Sequence, residues 1–486
     1  MKYINDILPF IHPLEMMGEI PSYSINRIFI NSKEVKPNSL FIAIKGTRVD
    51  GHDYIEDAIK KGAKFIVCEQ IPLDVRSEVF YIRVADAQRT AGTIAAAYFD
   101  FPSEKLKVVG VTGTNGKTTI ATLLYRLFRY MGEKAGLLST VVNYVDSKMY
   151  YATHTTPDPI ELQRLLSKMV EAGCTYCFME VSSHAIVQHR IEAVNYAGAI
   201  FTNITHDHLD YHKTFEEYLK AKKKFFDNLP KTAFALINLD DKNGQVMVQN
   251  TQATVYTYAL KTLADFHLKI LEYHLNGTLV NIENKDVWFN LIGEFNASNM
   301  LAIYAAAVLL GKDKEEVLSD MSLLTAVDGR FENITAPGGY TAVVDYAHTP
   351  DALTKVLSTL HRLKKEDSSI ITVVGAGGNR DKTKRPEMAK EAALLSDKLI
   401  LTSDNPRFEK PEDIINDMKQ GLNEEDMKKT LTIIDRKEAI RTALMLAQKN
   451  DIVLIAGKGH ETYQEIEGVK YPFSDVQMVK ELINIK

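Results

Sequence analysis

Apolar positions recur at two periods along the chain, and the changes of period divide it into three parts. Short runs with strand character, RIFI (27–30), SLFIAI (39–44), KFIVCE (64–69) and VFYIRV (79–84), surround one helix, YIEDAIKKG (54–62). That segment ends at the punctuation FDFPSEK (99–105). From about 103 to 328, continuous apolar runs alternate with amphipathic helices: KVVGVTG (107–113), KTTIATLLYRLFRYMG (117–132), PIELQRLLSKMVEAG (159–173), CFMEV (177–181), AIFTNI (199–204) and FALINL (234–239). Strands of this kind separated by helices predict a mostly parallel sheet covered on both faces.

A second alternating series follows GRFENITAPGG (329–339). Its strands are YTAVVDY (340–346), SIITVVG (369–375), KLILTS (398–403), TLTIID (430–435) and DIVLIAG (451–457). Its helices are ALTKVLSTLHRL (352–363), EMAKEAALLS (387–396), DIINDMKQG (413–421) and AIRTALMLAQ (439–448). The expected fold class is therefore α/β in three domains: a small N-terminal α/β domain over 1–102, a central P-loop-type domain with a mostly parallel sheet over 103–328, and a C-terminal Rossmann-like, doubly wound domain over 329–486. No repeat or low-complexity tract favours a solenoid or a disordered linker.

Composition narrows the class of function. The chain has 486 residues, 45% hydrophobic and 25% charged, with a formal net charge of −5. No global basic field exists to collect nucleic acid or anionic lipid, so any anion is bound locally. The start, MKYINDILPFIHP, has no signal-peptide pattern, and the longest apolar run, MLAIYAAAVLLG (300–311), is too short to span a bilayer. A cytoplasmic protein without membrane insertion is expected. Cys174 and Cys177 form a C-x-x-C, but it falls in CTYCFMEV, which reads as a buried strand, and no second pair completes a tetrahedral metal site.

The chemistry begins at GVTGTNGKTT (110–119), between an apolar strand and a helix. The position five before Gly116 is Val111, so the loop is shorter than the general phosphate-binding pattern. Even so, glycines at 110, 113 and 116 permit close backbone approach, and the N–H groups of the turn and helix start point at one spot. Lys117 supplies a charge for the outer phosphates, and the hydroxyl of Thr118 or Thr119 can hold Mg²⁺. This predicts nucleotide binding.

Glu180 in MEVSSH and the loop NITHDHLDYH (203–212) each follow a predicted strand, where open α/β sheets place ligands. His206, Asp207, His208, Asp210 and His212 are weak zinc candidates without nearby thiolates. Magnesium with Glu180, phosphate oxygens and one imidazole suits a nucleotide site better, against the plain alternative of a polar capping loop.

In the helix TFEEYLKAKKKFFDNL (214–229), Phe215, Tyr218, Leu219, Phe225, Phe226 and Leu229 form one face, and Lys222 lies within it. A buried lysine has a depressed pKa and a nucleophilic neutral amine, which with CO₂ gives a carbamate able to ligate metal. Snorkelling to solvent is the other outcome. In GAGGNRDKTKRP (375–386), Arg380, Lys382, Lys384 and Arg385 point to anion handling. TSDNPR (402–407) puts Arg407 where its planar fork can grip a carboxylate, against a plain surface-loop arginine.

These pieces resemble the Mur ligases, most closely the MurE type, which adds a diamino acid to UDP-N-acetylmuramoyl-L-alanyl-D-glutamate. The resemblance runs through NSKEVKPNSLFIAIKGTRVDGH, GVTGTNGKTT, HTTPDP, MEVSSHAIVQHR, TNITHDHLDYH, YLKAK, GEFNASNMLAIYAA, DGRFE, VVDYAHTPDAL, GGNRDKTKRP, TSDNPR and IAGKGHETYQ, in the family's order. The shortened phosphate loop is the family's own. By that resemblance, Ser32 contacts the uridine nucleotide, and Thr155, Thr156, Ser182, Gln188 and Arg190 the muramoyl dipeptide. Thr112, Gly113, Thr114, Asn115, Gly116, Lys117 and Thr118 cradle ATP, with Asn296, Arg330, Asp345 and His348 around the nucleotide. Glu180 and His208 match magnesium ligands and Lys222 the carbamylated lysine, with Thr118 a further ligand. Arg380, Asp404, Asn405, Pro406, Arg407, Gly457 and Glu461 match the site for meso-diaminopimelate, whose distal carboxylate suits Arg407.

NSK stands where DSR is commoner, His154 where asparagine is frequent, and Ala376 and Asn379 where Cys and Asp are. The implied reaction is amide formation through an acyl phosphate, with Lys117, Lys222 and His208 as the catalytic set, a monomeric state and closure of domains over the substrates. The alternatives are L-lysine as the added amino acid, a folylpolyglutamate synthase, which should lack the DNPR sequence and the N-terminal nucleotide-sugar segment, and an ATP-driven binding switch.

Overall fold

The computed structural model describes residues 2–46, 49–152 and 154–483. The described residues are mixed α/β, built on sheets of five, eleven and six strands with a separate two-stranded hairpin. The five-stranded sheet runs in the order Glu15–Met17, Phe80–Arg83, Ala63–Cys68, Ser39–Ile42, Ile28–Phe29, with only the first strand antiparallel. Its apolar strands meet the sequence pattern, but the expectation of a single helix there does not hold. Besides Ile55–Lys60, a longer helix spans Ala87–Tyr98, capped by Asp86, whose carboxylate accepts from Arg89 N at 2.8 Å. Its sequence, AQRTAGTIAAAY, is mostly alanine and other small residues, which give little apolar contrast although Ala91, Ile94 and Ala95 are fully buried. That smallness permits close contact with the central part: a Cβ on Gly92 would lie 2.7 Å from Glu192 Cβ.

The eleven-stranded sheet has a parallel centre. Lys107–Thr112 lies between Tyr176–Glu180 and Tyr196–Phe201, in registers that align Val111 with Glu180 and Thr112 with Phe201. The carboxyl ends of all three strands therefore finish at one edge, and the turn 113–116, Glu180 and Thr202 are neighbours because of it. The helix Lys117–Tyr130 covers one face, with Leu123, Leu124, Leu127 and Phe128 fully buried. Each such side chain contributes about 1.5–3 kcal/mol by leaving water. Cys177 is fully buried within Tyr176–Glu180, where burial pushes its thiol far up, and Cys174 is buried beside it.

The sheet extends beyond the predicted pattern through Thr254–Ala259, Phe266–His274, Gly277–Ile282 and Lys285–Phe289, the last three joined antiparallel. Helices Glu294–Leu309 and Lys314–Met321 close this part. The apolar run 300–311 is thus mostly helix, with Met300 to Ala307 buried in the core. No helix among the described residues is long and apolar enough to cross a membrane.

The six-stranded sheet has the order Glu332–Thr335, Thr341–Asp345, Ile452–Ala456, Ile370–Val374, Lys398–Leu401, Thr430–Thr432, parallel except for its first strand. The linker into it is gripped by the helix Lys117–Tyr130: Arg126 Nη1 donates to the carbonyls of Thr325 and Ala326 at 3.3 and 3.2 Å. Gly329, in this linker, has φ 64°, and a Cβ there would lie 2.1 Å from the backbone nitrogen of His460. Only glycine fits this crossing.

Candidate active site

The turn after Lys107–Thr112 is tied down from the neighbouring strand. Thr114 N donates to Asn203 O at 2.8 Å, Asn115 N to Asn203 Oδ1 at 3.0 Å, and Thr202 Oγ1 to Asn115 O at 2.6 Å. The first-turn N–H groups of Lys117–Tyr130 leave the loop with partial positive charge suited to phosphate. Lys117 Nζ folds back over the loop, donating to Gly113 O at 3.0 Å and Thr114 O at 2.8 Å. Burial pushes its pKa down, against the carboxylates of Glu180 and Asp207. Thr118 Oγ1 donates to Glu180 Oε2 at 3.0 Å and accepts from Arg330 Nη2 at 3.2 Å. The linker arginine thus reaches the first turn of the phosphate-loop helix.

Lys222 comes from the helix Phe215–Asp227, where Tyr218, Ala221, Phe225 and Phe226 are buried. Phe215 is 36% exposed and stands off the predicted apolar face, because the first helical turn lies outside the packed region. Lys222 is only 1% exposed, so the snorkelling alternative fails. Its Nζ donates to Gly113 O at 2.8 Å and lies 4.7 Å from the centre of the Tyr218 ring. Burial, then the charge of Lys117, holds its pKa far below the ordinary lysine value. Tyr218 Oη in turn meets Thr114 Oγ1 at 3.1 Å.

Glu180 is fully buried, and its Oε1 accepts from Thr140 N at 2.7 Å. His208 has φ 56° and sits with its Nε2 3.4 Å from Asp207 Oδ2. Burial lowers the imidazole pKa of His208, while Asp207, against burial, is held well below the carboxylate range by His208, His348 and Lys384. No group of three His, Cys, Asp or Glu side chains among the described residues is arranged to hold a metal ion by itself. The donors beside the phosphate loop, one buried carboxylate and the Thr118 hydroxyl, are hard oxygens that suit Mg²⁺ completed by phosphate oxygens and water.

These residues line one cavity of about 1420 Å³ that reaches the six-stranded sheet. Asn296, Arg330, Asp345 and His348 stand on its wall. Asn296 Nδ2 donates to Ile292 O at 2.9 Å. Asp345 accepts from the backbone of Phe331 and Ala347, both at 2.7 Å, and burial raises its pKa. Thr155, Thr156, Ser182 and Arg190 line it too. Arg190 is oriented by Thr156 O at 3.0 Å and by Gln188 Oε1 at 2.6 and 3.0 Å, so Gln188 acts behind it. Ser32 is away from the cavity, buried in a single turn, Ser32–Glu34, whose carbonyl at Ser32 accepts from Lys61 Nζ at 3.1 Å.

On the far wall are Arg380, Arg407 and Glu461. Asp404, Asn405 and Pro406 support them. Asn405 Nδ2 donates to Glu461 Oε2 at 2.7 Å, and the fully buried Lys458 donates to Asn405 Oδ1 at 3.0 Å and Glu461 Oε2 at 2.9 Å. Burial, then Asp404, raises the pKa of Glu461. Gly457 N donates to Asp345 O at 3.1 Å, joining the two halves of this wall. Of the basic cluster 380–385, Arg385 is not an anion ligand. It is fully buried and spent on Glu409, Asp417 and the carbonyl of Gly377.

Sequence reasoning missed Thr140, Tyr346, Lys458, His460, Tyr463 and Lys470. Tyr346 lies between the rings of His348 and His460, at 4.6 and 4.9 Å, under the guanidinium of Arg330 at 4.4 Å. Lys458, His460 and Tyr463 were within reach of a reader, because GKGHETY follows a strand, but Thr140 and Lys470 carry no local signal.

The chain matches three family descriptions in order: Mur ligase family, catalytic domain, over 24–98; Mur ligase middle domain, over 111–307; and Mur ligase, glutamate ligase domain, over 329–459. It is 57% identical over 482 residues to the UDP-N-acetylmuramoyl-L-alanyl-D-glutamate–2,6-diaminopimelate ligase of Bacteroides fragilis, covering 99% of each chain. To the protein of the same name in Aquifex aeolicus it is 43% identical over 465 residues, 94% of each. A solved structure of a UDP-N-acetylmuramoyl-L-alanyl-D-glutamate–2,6-diaminopimelate ligase superposes with TM-score 0.69 at 33% identity, covering 100% of this chain and 99% of that one. A folylpolyglutamate synthase from Mycobacterium tuberculosis complexed with ADP shares the fold, with TM-score 0.63 at 16% identity over 76% of this chain and 91% of that one.

Proposed function

The chain belongs to the Mur ligase family, and from that premise we propose that it joins meso-diaminopimelate to the D-glutamate of UDP-N-acetylmuramoyl-L-alanyl-D-glutamate, using ATP, in peptidoglycan synthesis. The observation that carries this reading is the single cavity with Lys117, Thr118 and Glu180 on one wall and Arg407 and Glu461 on another. A phosphate-binding loop and a carboxylate-and-amine site facing the same space suit a ligase better than a switch.

The D-glutamate side-chain carboxylate attacks the γ-phosphorus of ATP. The bond to the ADP oxygen breaks, leaving an acyl phosphate. An amine of diaminopimelate then attacks the acyl carbon, phosphate leaves, and the amine nitrogen loses a proton. Two anions must meet in the first step, so the Lys117 ammonium and the helix N-terminus offset their repulsion. Thr112 to Thr118 hold the phosphates, and Asn296, Arg330, Asp345 and His348 surround the nucleoside end. Thr155, Thr156, Ser182 and Arg190, with Gln188 behind, hold the acyl acceptor, and Ser32 contacts its uridine end once the N-terminal part swings toward the cavity. Arg380, Asp404, Asn405, Pro406, Arg407, Gly457 and Glu461 hold the diamino acid. Thr118, Glu180, His208 and a carbamylated Lys222 would hold Mg²⁺, which would supply charge neutralisation at the transferring phosphoryl group. The protein acts in the cytoplasm as a monomer, with domains divided near 102/103 and 328/329 that close over the substrates.

The test supplies meso-diaminopimelate, L-lysine and ornithine in parallel with ATP and the muramoyl dipeptide and weighs the products. A diaminopimelate adduct is expected. A preferred lysine adduct, or phosphate release that needs neither the dipeptide nor an amine, would overturn the reading.

A further inference from the structure

Arg407 occupies the left-handed region at φ 53°, and the hairpin Tyr463–Ile466 and Val469–Pro472 pins it there. Its N–H donates to Glu465 O at 3.0 Å, and its carbonyl accepts from Glu467 N at 2.6 Å. The guanidinium is equally committed. Nη1 donates to Gly378 O at 2.8 Å, and Nε lies 3.3 Å from Glu465 Oε2, with the two side chains 20% and 22% exposed. A guanidinium captures a carboxylate bidentately through two adjacent donors in a fixed plane. The Nε/Nη2 edge of Arg407 is therefore already half taken by a carboxylate of the chain itself.

We propose that Glu465 is a specificity-determining residue whose carboxylate stands in for the distal carboxylate of the amine substrate, holding Arg407 until that group displaces it. The hairpin provides the place to which it moves. Lys470 is the residue directly opposite Glu465 in the antiparallel register, on the same face, and it lines the cavity. The backbone of Glu465 stays fixed during this exchange, because its N–H donates to Asn405 Oδ1 at 2.9 Å. Only the side chain turns, from Arg407 to Lys470. A substrate with a distal carboxylate must break the Arg407 pair, whereas one without it leaves the pair intact, so Glu465 narrows the preference that Arg407 alone would give.

The inference rests on the reading of Arg407 as the partner of the distal carboxylate, and the experiment separates the two. KM for meso-diaminopimelate and for L-lysine is measured in the full-length enzyme and in Glu465→Gln, Lys470→Met, Arg407→Ala and Arg407→Ala/Glu465→Gln. A partly exposed pair of this kind corresponds to about a two- to fivefold fall in the diaminopimelate KM of Glu465→Gln, without a matching fall for lysine and without a change in kcat. Lys470→Met should raise the same KM, and Glu465→Gln should have no effect once Arg407 is alanine. An unchanged or raised KM in Glu465→Gln, in a protein where Arg407→Ala raises it, overturns the role of Glu465 alone. An Arg407→Ala enzyme with unaltered KM overturns the underlying assignment as well.

Discussion

Lys117 and Lys222 meet at one oxygen: both Nζ atoms donate to the carbonyl of Gly113, at 3.0 and 2.8 Å. Two like charges in a buried site, one of them 1% exposed, repel strongly at short range. The repulsion disappears when Lys222 becomes neutral, and reverses when it carries a carbamate. Incubation with carbon-13 bicarbonate is expected to give a carbamate carbonyl resonance that Lys222→Ala lacks. Full activity in buffer stripped of CO₂, with no such resonance, would sink this expectation.

Lys117→Met should lower kcat by about 10²–10³-fold, the usual loss when one preorganised donor to a developing charge is removed. Single-turnover assays of ADP formation report this directly. Full-speed product formation would remove the lysine from the reaction.

Arg407→Ala should weaken diaminopimelate by about 10- to 100-fold in KM, the range for losing hydrogen bonds to a charged group. Nucleotide affinity, read by fluorescent ATP-analogue titration, should not change, since Arg407 stands on the wall opposite the phosphate loop. A parallel loss of nucleotide binding would mean that the loop 402–407 had collapsed instead.

Buried histidines set an acid limit on stability, and His348 and His460 contribute to it beside His184 and His208, which burial lowers likewise. Burial pushes His348 down to about 4, with Lys384 and Arg330 adding to it and Asp207 opposing. It pushes His460 down to about 3, with Arg330, His348 and Lys458 adding. Both folded values lie below the ordinary 6.5, so the unfolded chain binds more protons between them. Their contribution is fully present above pH 6.5 and is lost as pH falls toward 4 for His348 and toward 3 for His460, with a limiting slope of about 1.4 kcal/mol per pH unit for each group. Urea unfolding at pH 7.5, 6.0 and 5.0 should show the decline, and His348→Gln/His460→Gln should flatten it. An equally steep decline in the double variant would place the acid sensitivity elsewhere.

Behind the wall that carries Arg407 and Glu461, Arg436 and Asp475 form a fully buried pair, with Nε to Oδ1 at 2.8 Å and Nη2 to Oδ2 at 2.7 Å. Arg436→Met alone leaves a buried carboxylate unpaired and should cost about 3–5 kcal/mol. Arg436→Met/Asp475→Leu should recover most of it, as read from the calorimetric transition of the C-terminal part. A single variant as stable as the parent would show that water compensates Asp475.

Much of this was legible in the chain because the ends of apolar runs coincide with the strand ends that face the cavity. Thr112, Glu180 and Leu401 close strands whose following loops line the cavity, and the latter two were visible as the ends of apolar runs, while the sequence placed the first end one residue early, at Val111. Lys222 was legible as a lysine on an apolar helical face. The alanine-rich helix Ala87–Tyr98 was not, since small side chains carry no periodic contrast, nor were the strands Phe266–His274 and Gly277–Ile282, where polar residues interrupt the apolar pattern. Arg385 was misjudged for a different reason. Its neighbours in sequence are Lys382 and Lys384, but its partners, Glu409 and Asp417, lie far along the chain, and only the fold brings them together.

The crossing at Gly329 has an evolutionary consequence. A single added methyl there would strike the backbone at His460, a residue more than a hundred positions downstream. The linker and the loop 457–461 therefore cannot diverge independently. A lineage that alters one must inherit a matching change in the other, and a swap of C-terminal parts between homologues will succeed only where both segments travel together.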